Sequence, residues 1–215
     1  MSDTVVVFAG GSRPGARALA AVPAGARVIA ADRGADHALA AGLHADVAVG
    51  DFDSISAAAL EELARAGTRI ERHPSAKDAT DLELALGAAV ALVPAPRRIL
   101  VVGGAGGRLD HLLGELSLLA SDVYAEFELD ALLGRATINV VRRERVLAGA
   151  TGELVSLLPL HGPAVGVTTA GLVYALRGET LLPGSSRGIS NVFAGPEVRI
   201  ALESGVLLAV RPGQP

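Results

Sequence analysis

Two short acidic segments hold the residues best suited to chemistry. Residues 50–54 read Gly-Asp-Phe-Asp-Ser and directly follow residues 47–49, an apolar run typical of a strand. Asp51 and Asp53 therefore lie at the carboxyl end of a predicted strand, which is where open α/β sheets bind their ligands. Alone, the segment is also compatible with a solvated turn that caps the next helix.

The second segment, residues 77–81, reads Lys-Asp-Ala-Thr-Asp and precedes a predicted helix. It contributes Asp78, Asp81 and Lys77, the only lysine of the chain. It also has the composition of an ordinary helix cap. Carboxylates at close range raise one another's pKa unless a cation compensates them. Magnesium prefers oxygen ligands and is commonly held by carboxylates together with substrate phosphates. The two segments together therefore predict a magnesium site.

A glycine-rich segment is the best candidate for phosphate binding. Residues 103–111 read Gly-Gly-Ala-Gly-Gly-Arg-Leu-Asp-His and follow an apolar run at 99–102. Gly106 and Gly107 let a backbone approach a phosphate closely, and Arg108 can neutralise oxygens that gain charge during transfer. The segment predicts a phosphate-binding turn, although a tight strand-to-helix connection would need the same glycines. Residues 9–14 are a weaker candidate of the same kind.

Alternating strands and helices must position these segments. The pattern predicts an α/β fold with a Rossmann-like, mostly parallel sheet and helices on both faces. Thr80 with Glu83 has capping-box spacing, Ser56 can cap another helix, and Asp110 can cap a third. Strands are predicted at 4–9, 27–31, 47–49, 68–71 and 99–102. Helices are predicted at 57–66, 82–93 and 111–121.

The pattern changes after about residue 136 to short strand-like runs separated by glycine and proline. This pattern of short strand-like runs predicts a smaller all-β second domain. We place the boundary so that the domains are 1–137 and 138–215. Strands are predicted at 137–141, 154–158, 165–169, 198–202 and 206–210.

Composition excludes several classes of function. The net charge is -4 and the pI is near 5.7, which argues against nucleic-acid binding. The chain has no cysteine, so thiolate metal sites and cysteine nucleophiles are excluded. Its most apolar stretch, residues 84–96, is shorter than the roughly 20 residues that a membrane span needs. The N-terminus lacks a cationic signal region. These features predict a cytoplasmic protein with no membrane partner.

The ordered set of motifs resembles the thiamine pyrophosphokinase family. The resemblance rests on residues 31–35, 50–54, 77–83 and 106–111, which match the family motifs in order and spacing. It continues in the second part at Gly-Leu-Val-Tyr-Ala-Leu (171–176) and Gly-Ile-Ser-Asn (188–191), which look like the family's thiamine-binding domain. The chain departs from the usual motifs at Asp36 and Val192.

The resemblance implies a fold and an assembly. The first domain, 1–137, would be catalytic and bind ATP. The second, 138–215, would be a β-sandwich that binds thiamine. The protein would form a homodimer whose subunits jointly line each thiamine site.

The resemblance also implies site residues, carried over by position. Asp51, Asp53 and Asp81 would bind magnesium, and Asp32 and Asp78 would lie near the reacting groups. Thiamine would contact Tyr174, Ser190 and Asn191. The set predicted to be catalytic is Asp51, Asp53, Asp78, Asp81 and Arg108. The set predicted to bind ATP is Asp32, Lys77, Gly106, Gly107, Arg108, Asp110 and His111.

The implied reaction transfers the β,γ-diphosphate of ATP to the hydroxyl of thiamine, giving thiamine diphosphate and AMP. Two alternatives stay open at the level of sequence. One is a pyrophosphokinase for another hydroxymethyl heterocycle, such as a pterin. The other is a non-catalytic sensor of thiamine diphosphate or nucleotide.

Overall fold

The structure is a computed structural model that describes residues 2–104 and 108–213. The fold is mixed α/β, and the chain divides into two compact units. The first unit contains residues 1–115 and 127–134, and the second contains residues 116–126 and 135–215. The predicted boundary after residue 137 stays a prediction.

The first unit is built on a parallel sheet of six strands. Its order is β4-β3-β2-β1-β5-β6, and every neighbouring pair is parallel. The strand order reverses between β1 and β5, which makes that point the topological switch of the sheet. The strands are β1 Thr4–Phe8, β2 Arg27–Ala31, β3 Val47–Gly50, β4 Arg69–Arg72, β5 Arg98–Val102 and β6 Glu128–Leu133.

Strands β1, β2, β3 and β5 are almost fully buried. This explains their near-continuous apolar sequences, since a parallel sheet covered by helices has no solvent face. The side chains of Leu63 and Leu86 are also fully buried in this unit. The helices are α1 Ala16–Ala20, α2 Gly34–Ala40, α3 Ala57–Arg65, α4 Asp81–Val90 and α5 Leu109–Leu119.

Two of the predicted helix caps are confirmed. The side chain of Ser56 accepts a hydrogen bond from the Ala59 amide at 3.1 Å, and that of Thr80 accepts one from the Glu83 amide at 3.2 Å. The third cap is wrong, because α5 begins at Leu109 and places Asp110 inside its first turn. Helices α1 and α2 were not predicted, since each is short and rich in alanine.

The second unit is mainly β-structure. Strand β13 pairs with β7 and β9, β12 pairs with β8 and β9, and β10 and β11 also pair with β9, all antiparallel. A short 3-10 helix covers Asp122–Tyr124. The strands are β7 Ala136–Val141, β8 Glu144–Ala148, β9 Leu154–Ala170, β10 Arg177–Leu181, β11 Asn191–Val192, β12 Glu197–Ala201 and β13 Ser204–Arg211.

Two predicted strands, 154–158 and 165–169, are parts of the single 17-residue strand β9. His161 has a φ of 58° and Gly162 a φ of 143°, so the chain changes direction there without ending the strand. The glycine and proline that suggested a break therefore mark a bend. Within 2–104 and 108–213, no helix is long and apolar enough to cross a membrane.

Candidate active site

Three aspartates meet at the carboxyl ends of β2 and β3. Asp32 follows β2, and Asp51 and Asp53 follow β3. One carboxylate oxygen from each lies within 4.8 Å of the other two. Because β2 and β3 are parallel neighbours, their carboxyl ends share one edge of the sheet. The cluster therefore combines the predicted Asp51 and Asp53 with Asp32, and it contains no residue of the second acidic segment, 77–81.

Backbone geometry brings the three carboxylates together. The Asp32 amide donates to the carbonyl of Val49 at 2.8 Å, which extends the β2–β3 ladder past the end of β2. Gly50 has a φ of 151°, and a Cβ there would lie 3.0 Å from the Cβ of Asp32. A glycine is therefore required for the two loops to approach this closely.

Two non-glycine residues of the site adopt the left-handed conformation. Asp32 has a φ of 44° and Phe52 a φ of 61°. Such a conformation is uncommon for a bulky residue and costs on the order of 1 kcal/mol, and it is concentrated at functional sites. Phe52 is held by burial and by the Arg72 guanidinium, which lies 4.9 Å from its ring centroid.

Asp32 is buried, with only 7% of its surface exposed. The hydroxyl of Ser54 donates a short hydrogen bond to Oδ2 of Asp32. Its other oxygen, Oδ1, is buried and has no hydrogen-bond partner among the described residues. A buried carboxylate oxygen without a donor is costly, so a ligand that supplies positive charge would stabilise it.

Lys77 bridges two of the predicted acidic residues. Its ammonium lies 3.4 Å from Oδ2 of Asp51 and 3.1 Å from Oδ1 of Asp81. The pair with Asp81 is possible because Asp81 starts α4 four residues after Lys77, which lies in the loop before the helix. Asp78 is exposed on that loop. The predicted segment 77–81 thus delivers a cation and a carboxylate to the site.

The two carboxylates beside Lys77 respond differently to their surroundings. Burial acts to raise the pKa of Asp51, but hydrogen bonds from Ser75 and the Asp53 amide, together with Lys77, outweigh burial and lower it. For Asp81, burial raises the pKa; Lys77 opposes this, and the charges of Asp32 and Asp51 add to the increase.

These residues fit a divalent cation with a preference for oxygen. The cluster offers one carboxylate oxygen from each of three aspartates, and the Oδ1 of Asp32 lacks a hydrogen-bond donor among the residues that the structure describes. Magnesium is typically held by a small number of carboxylates and by substrate phosphates. Of the three predicted ligands, Asp51 and Asp53 belong to the cluster, whereas Asp81 lies beside it in an ion pair with Lys77.

Arg108 and Asp110, the described charged residues of the glycine-rich segment, come after β5, which β1 separates from β2 in the sheet. Arg108 and Asp110 form a bidentate pair, with Nη2 to Oδ2 at 2.6 Å and Nε to Oδ1 at 3.2 Å. Both are exposed, and the hydrogen bond from Arg108 is the largest cause that lowers the pKa of Asp110 to about 2. His111 is exposed on the first turn of α5. The predicted Gly106 and Gly107 lie outside the described residues.

The three residues predicted to bind thiamine line one cavity in the second unit. Tyr174, Ser190 and Asn191 border a space of about 370 Å³, together with the segment 185–189. Tyr174 is 60% exposed, whereas Asn191 is only 3% exposed. The Asn191 amide is largely used within the protein, since its oxygen accepts from the amides of Tyr174 and Val192.

Two features of the first unit were missed from the sequence. Glu115 is a half-buried carboxyl on α5 whose Oε2 is buried beside Gly104 and has no hydrogen-bond partner in the described ranges. The only indication of this buried carboxyl in the sequence is that Glu115 is the single acidic residue of the apolar run Leu-Leu-Gly-Glu-Leu. Asp32 was predicted near the reacting groups but not as a metal ligand. Its position directly after a buried strand, like that of Asp51, was the available signal.

Comparisons with known proteins agree with the two-part organisation. A family model described as thiamin pyrophosphokinase, catalytic domain, matches residues 23–129. A second model, thiamin pyrophosphokinase, vitamin B1 binding domain, matches residues 135–207. A thiamine pyrophosphokinase of Bacillus subtilis (strain 168) is 28% identical over 185 residues, covering 85% of this chain and 86% of the relative.

Solved structures give the same result. The crystal structure of thiamine pyrophosphokinase from Bacillus subtilis superposes with a TM-score of 0.85 at 26% identity, covering 99% of this chain and 100% of the other. That of thiamin pyrophosphokinase from Geobacillus thermodenitrificans has a TM-score of 0.82 at 27% identity, covering 98% of each chain.

Proposed function

Because this chain belongs to the thiamine pyrophosphokinase family, we propose that it transfers the β,γ-diphosphate of ATP to the hydroxyl of thiamine. The products are thiamine diphosphate and AMP. The observation that carries the proposal is the cluster of Asp32, Asp51 and Asp53 at the sheet edge, within a chain that matches both family domains. The pterin and sensor alternatives are not favoured, since both family models describe thiamin pyrophosphokinase.

The reaction is a single displacement at phosphorus. The thiamine hydroxyl oxygen forms a bond to the β-phosphorus, the bond from that phosphorus to the α,β-bridging oxygen breaks, and AMP leaves with the electron pair. The hydroxyl proton passes to a base or to solvent. Transfers of this kind depend mainly on orientation and on preorganised charge. The protein therefore needs to hold two substrates in line more than to supply a nucleophile.

Asp32, Asp51 and Asp53 are proposed to hold magnesium, and Asp81 to support it through Lys77. When bound, magnesium would neutralise the phosphate oxygens and offset the repulsion among the carboxylates. Two observations support this proposal. Among the described residues, Oδ1 of Asp32 has no hydrogen-bond partner, and burial raises the pKa of Asp81.

Arg108 is proposed to act on ATP. Its guanidinium is exposed and is oriented by a bidentate pair with Asp110, which keeps the planar group in one direction. A guanidinium held this way can contact two phosphate oxygens at once. Asp110 would then be a positioning residue for Arg108.

Thiamine is proposed to bind the cavity in the second unit. Tyr174 offers an exposed ring, which suits a flat cationic ligand. We also propose that the first domain is Rossmann-like, that the second domain is a β-sandwich, and that the protein forms a homodimer whose subunits jointly line the thiamine site. A cytoplasmic location is part of the same proposal, because the use of ATP favours it.

The proposal is tested by measuring AMP release from ATP and magnesium with and without an acceptor, and by separating the products chromatographically. Thiamine should give AMP and thiamine diphosphate in equal amounts. A hydroxymethylpterin, supplied at the same concentration, is the control acceptor and should give neither. AMP release that depends on the pterin and not on thiamine would overturn the choice of acceptor.

A further inference from the structure

The cavity of the second unit has a cation beside it. Arg187 is the only charged residue among the described residues that line this space of about 370 Å³, and the others are apolar, aromatic or uncharged polar residues. Thiamine, the ligand proposed for the cavity, is itself a cation, because its thiazolium ring has a permanent positive charge. A guanidinium without a counter-charge at this place would repel it.

Glu179 of strand β10 supplies the counter-charge. The Nε of Arg187 donates to Oε2 of Glu179 at 2.9 Å, and its Nη2 donates to Oε1 at 2.9 Å. The hydrogen bond from Arg187 lowers the pKa of the Glu179 carboxyl, so that the carboxyl is ionised at neutral pH. The two side chains together therefore have no net charge.

The guanidinium is held in place from two sides. The carbonyl of Gly188 accepts from the amide of Leu157 on β9 at 2.9 Å. Gly188 has a φ of 98°, and a Cβ there would lie 2.6 Å from the carbonyl oxygen of Leu157, so this contact requires glycine. The backbone beside Arg187 is thus bound to β9, while the side chain is bound to β10 through a bidentate pair that fixes its direction.

The pair has a larger effect on charge than on folding. The side chain of Arg187 is 50% exposed and that of Glu179 is 38% exposed. Ion pairs in such solvated positions contribute little to stability. Glu179 is also not one of the residues that line the cavity, so its effect on a ligand passes through Arg187.

We propose that Glu179 sets the charge preference of this cavity by neutralising Arg187. The neutral pair allows the thiamine cation to bind and leaves no free guanidinium for the anionic phosphate esters of thiamine. Glu179 is therefore a specificity-determining residue that does not contact the ligand. The identity of the ligand rests on the proposed function.

The test is calorimetric titration of thiamine and of thiamine monophosphate into the full chain at pH 8, without ATP or magnesium. At low ionic strength, Glu179→Gln should weaken thiamine binding by about threefold to tenfold and strengthen thiamine monophosphate binding by a similar factor. This is the size expected for one unpaired charge near a ligand in a solvated site. Both changes should shrink in high salt, which screens exposed charges.

Three further variants separate charge from structure. Arg187→Gln leaves the carboxylate alone and should change both affinities in the opposite directions to Glu179→Gln. The double variant Glu179→Gln/Arg187→Gln removes both charges and should bind both ligands nearly as the wild type does. Glu144→Gln is the matched control, because Glu144 forms an exposed pair with Arg199 in the same unit and does not line the cavity. It should leave both affinities unchanged.

The inference would be overturned if Glu179→Gln changed neither affinity, or if it weakened both ligands alike, since loosening of the cavity acts on both. The same holds for a folded wild type that binds no thiamine. AMP release by the wild type, measured with and without thiamine, tells the two failures apart. Thiamine-dependent AMP release together with parallel affinity changes rejects only the role of Glu179, whereas its absence rejects the proposed function.

Discussion

Asn191 holds the backbone of Tyr174 through both of its polar groups. Its Nδ2 donates to the Tyr174 carbonyl at 2.7 Å, and its Oδ1 accepts from the Tyr174 amide at 3.0 Å. Asn191 is buried whereas Tyr174 is exposed at the cavity. The asparagine therefore fixes the position of the ring that is proposed to meet thiamine, instead of presenting its own amide freely to the ligand.

Asn191→Ala should raise the KM for thiamine by about tenfold and leave the KM for ATP unchanged. The change leaves two backbone groups of Tyr174 without partners, which costs about 1–3 kcal/mol and loosens the loop. Steady-state kinetics with each substrate varied in turn measures the effect. Tyr174→Phe is the control, since it keeps the ring and should change KM little. Equal increases in both KM values would contradict a local role.

Asp51→Asn should reduce magnesium-dependent AMP formation by about 100-fold or more. The change removes one anionic oxygen from the cluster, and a metal that neutralises phosphate charge contributes several kcal/mol to catalysis. Activity is measured as a function of magnesium concentration, and the apparent magnesium affinity should fall as well. Glu61→Gln is the control, because Glu61 is exposed on α3 and does not belong to the carboxylate cluster. An unchanged rate and magnesium response would rule out Asp51 as a ligand.

Lys77→Met should shift the acidic limb of the pH–rate profile to higher pH. The ammonium of Lys77 lowers the pKa of both Asp51 and Asp81, so without it each carboxylate protonates at a higher pH. The loss of kcat/KM should therefore be larger at pH 6 than at pH 8. Lys77→Arg keeps the charge and should keep the wild-type profile. A limb that stays in place or moves to lower pH would disprove the coupling.

Glu115→Gln should stabilise the protein at neutral pH and have little effect in acid. Burial raises the pKa of Glu115 in the folded state, so its ionised form costs free energy that grows as the pH rises above its unfolded pKa. The amide has no charge to bury. Thermal unfolding at pH 4 and pH 7.5 measures this, with a gain of about 2–4 °C for each kcal/mol. A stabilisation that is larger at pH 4 would contradict the assignment.

Local features were predictable because they depend on a few neighbouring residues. Ser56 and Thr80 cap their helices through amides three residues away, and such spacing is visible in the sequence. Asp51 and Asp53 were placed at the sheet edge because they follow a buried apolar strand directly. The alternation of strands and helices gave the mixed α/β class for the same reason.

Features that depend on contacts between distant segments were not predictable. The bond from Ser54 to Asp32 joins residues 22 positions apart and exists only because β2 and β3 pair in parallel. The pair of Lys77 with Asp51 spans 26 positions. The start of α5 at Leu109 was missed because Asp110 was an acceptable cap by type. The length of β9 was missed because a bend and a break have the same local composition.

The most direct test follows the phosphorus atoms of ATP. ATP labelled at the β-phosphorus is mixed with thiamine, magnesium and the protein, and the products are separated by chromatography. Diphosphate transfer predicts that the label enters thiamine diphosphate in one step, with one unlabelled AMP released for each molecule formed. Thiamine monophosphate and labelled ADP as the products would contradict diphosphate transfer from ATP.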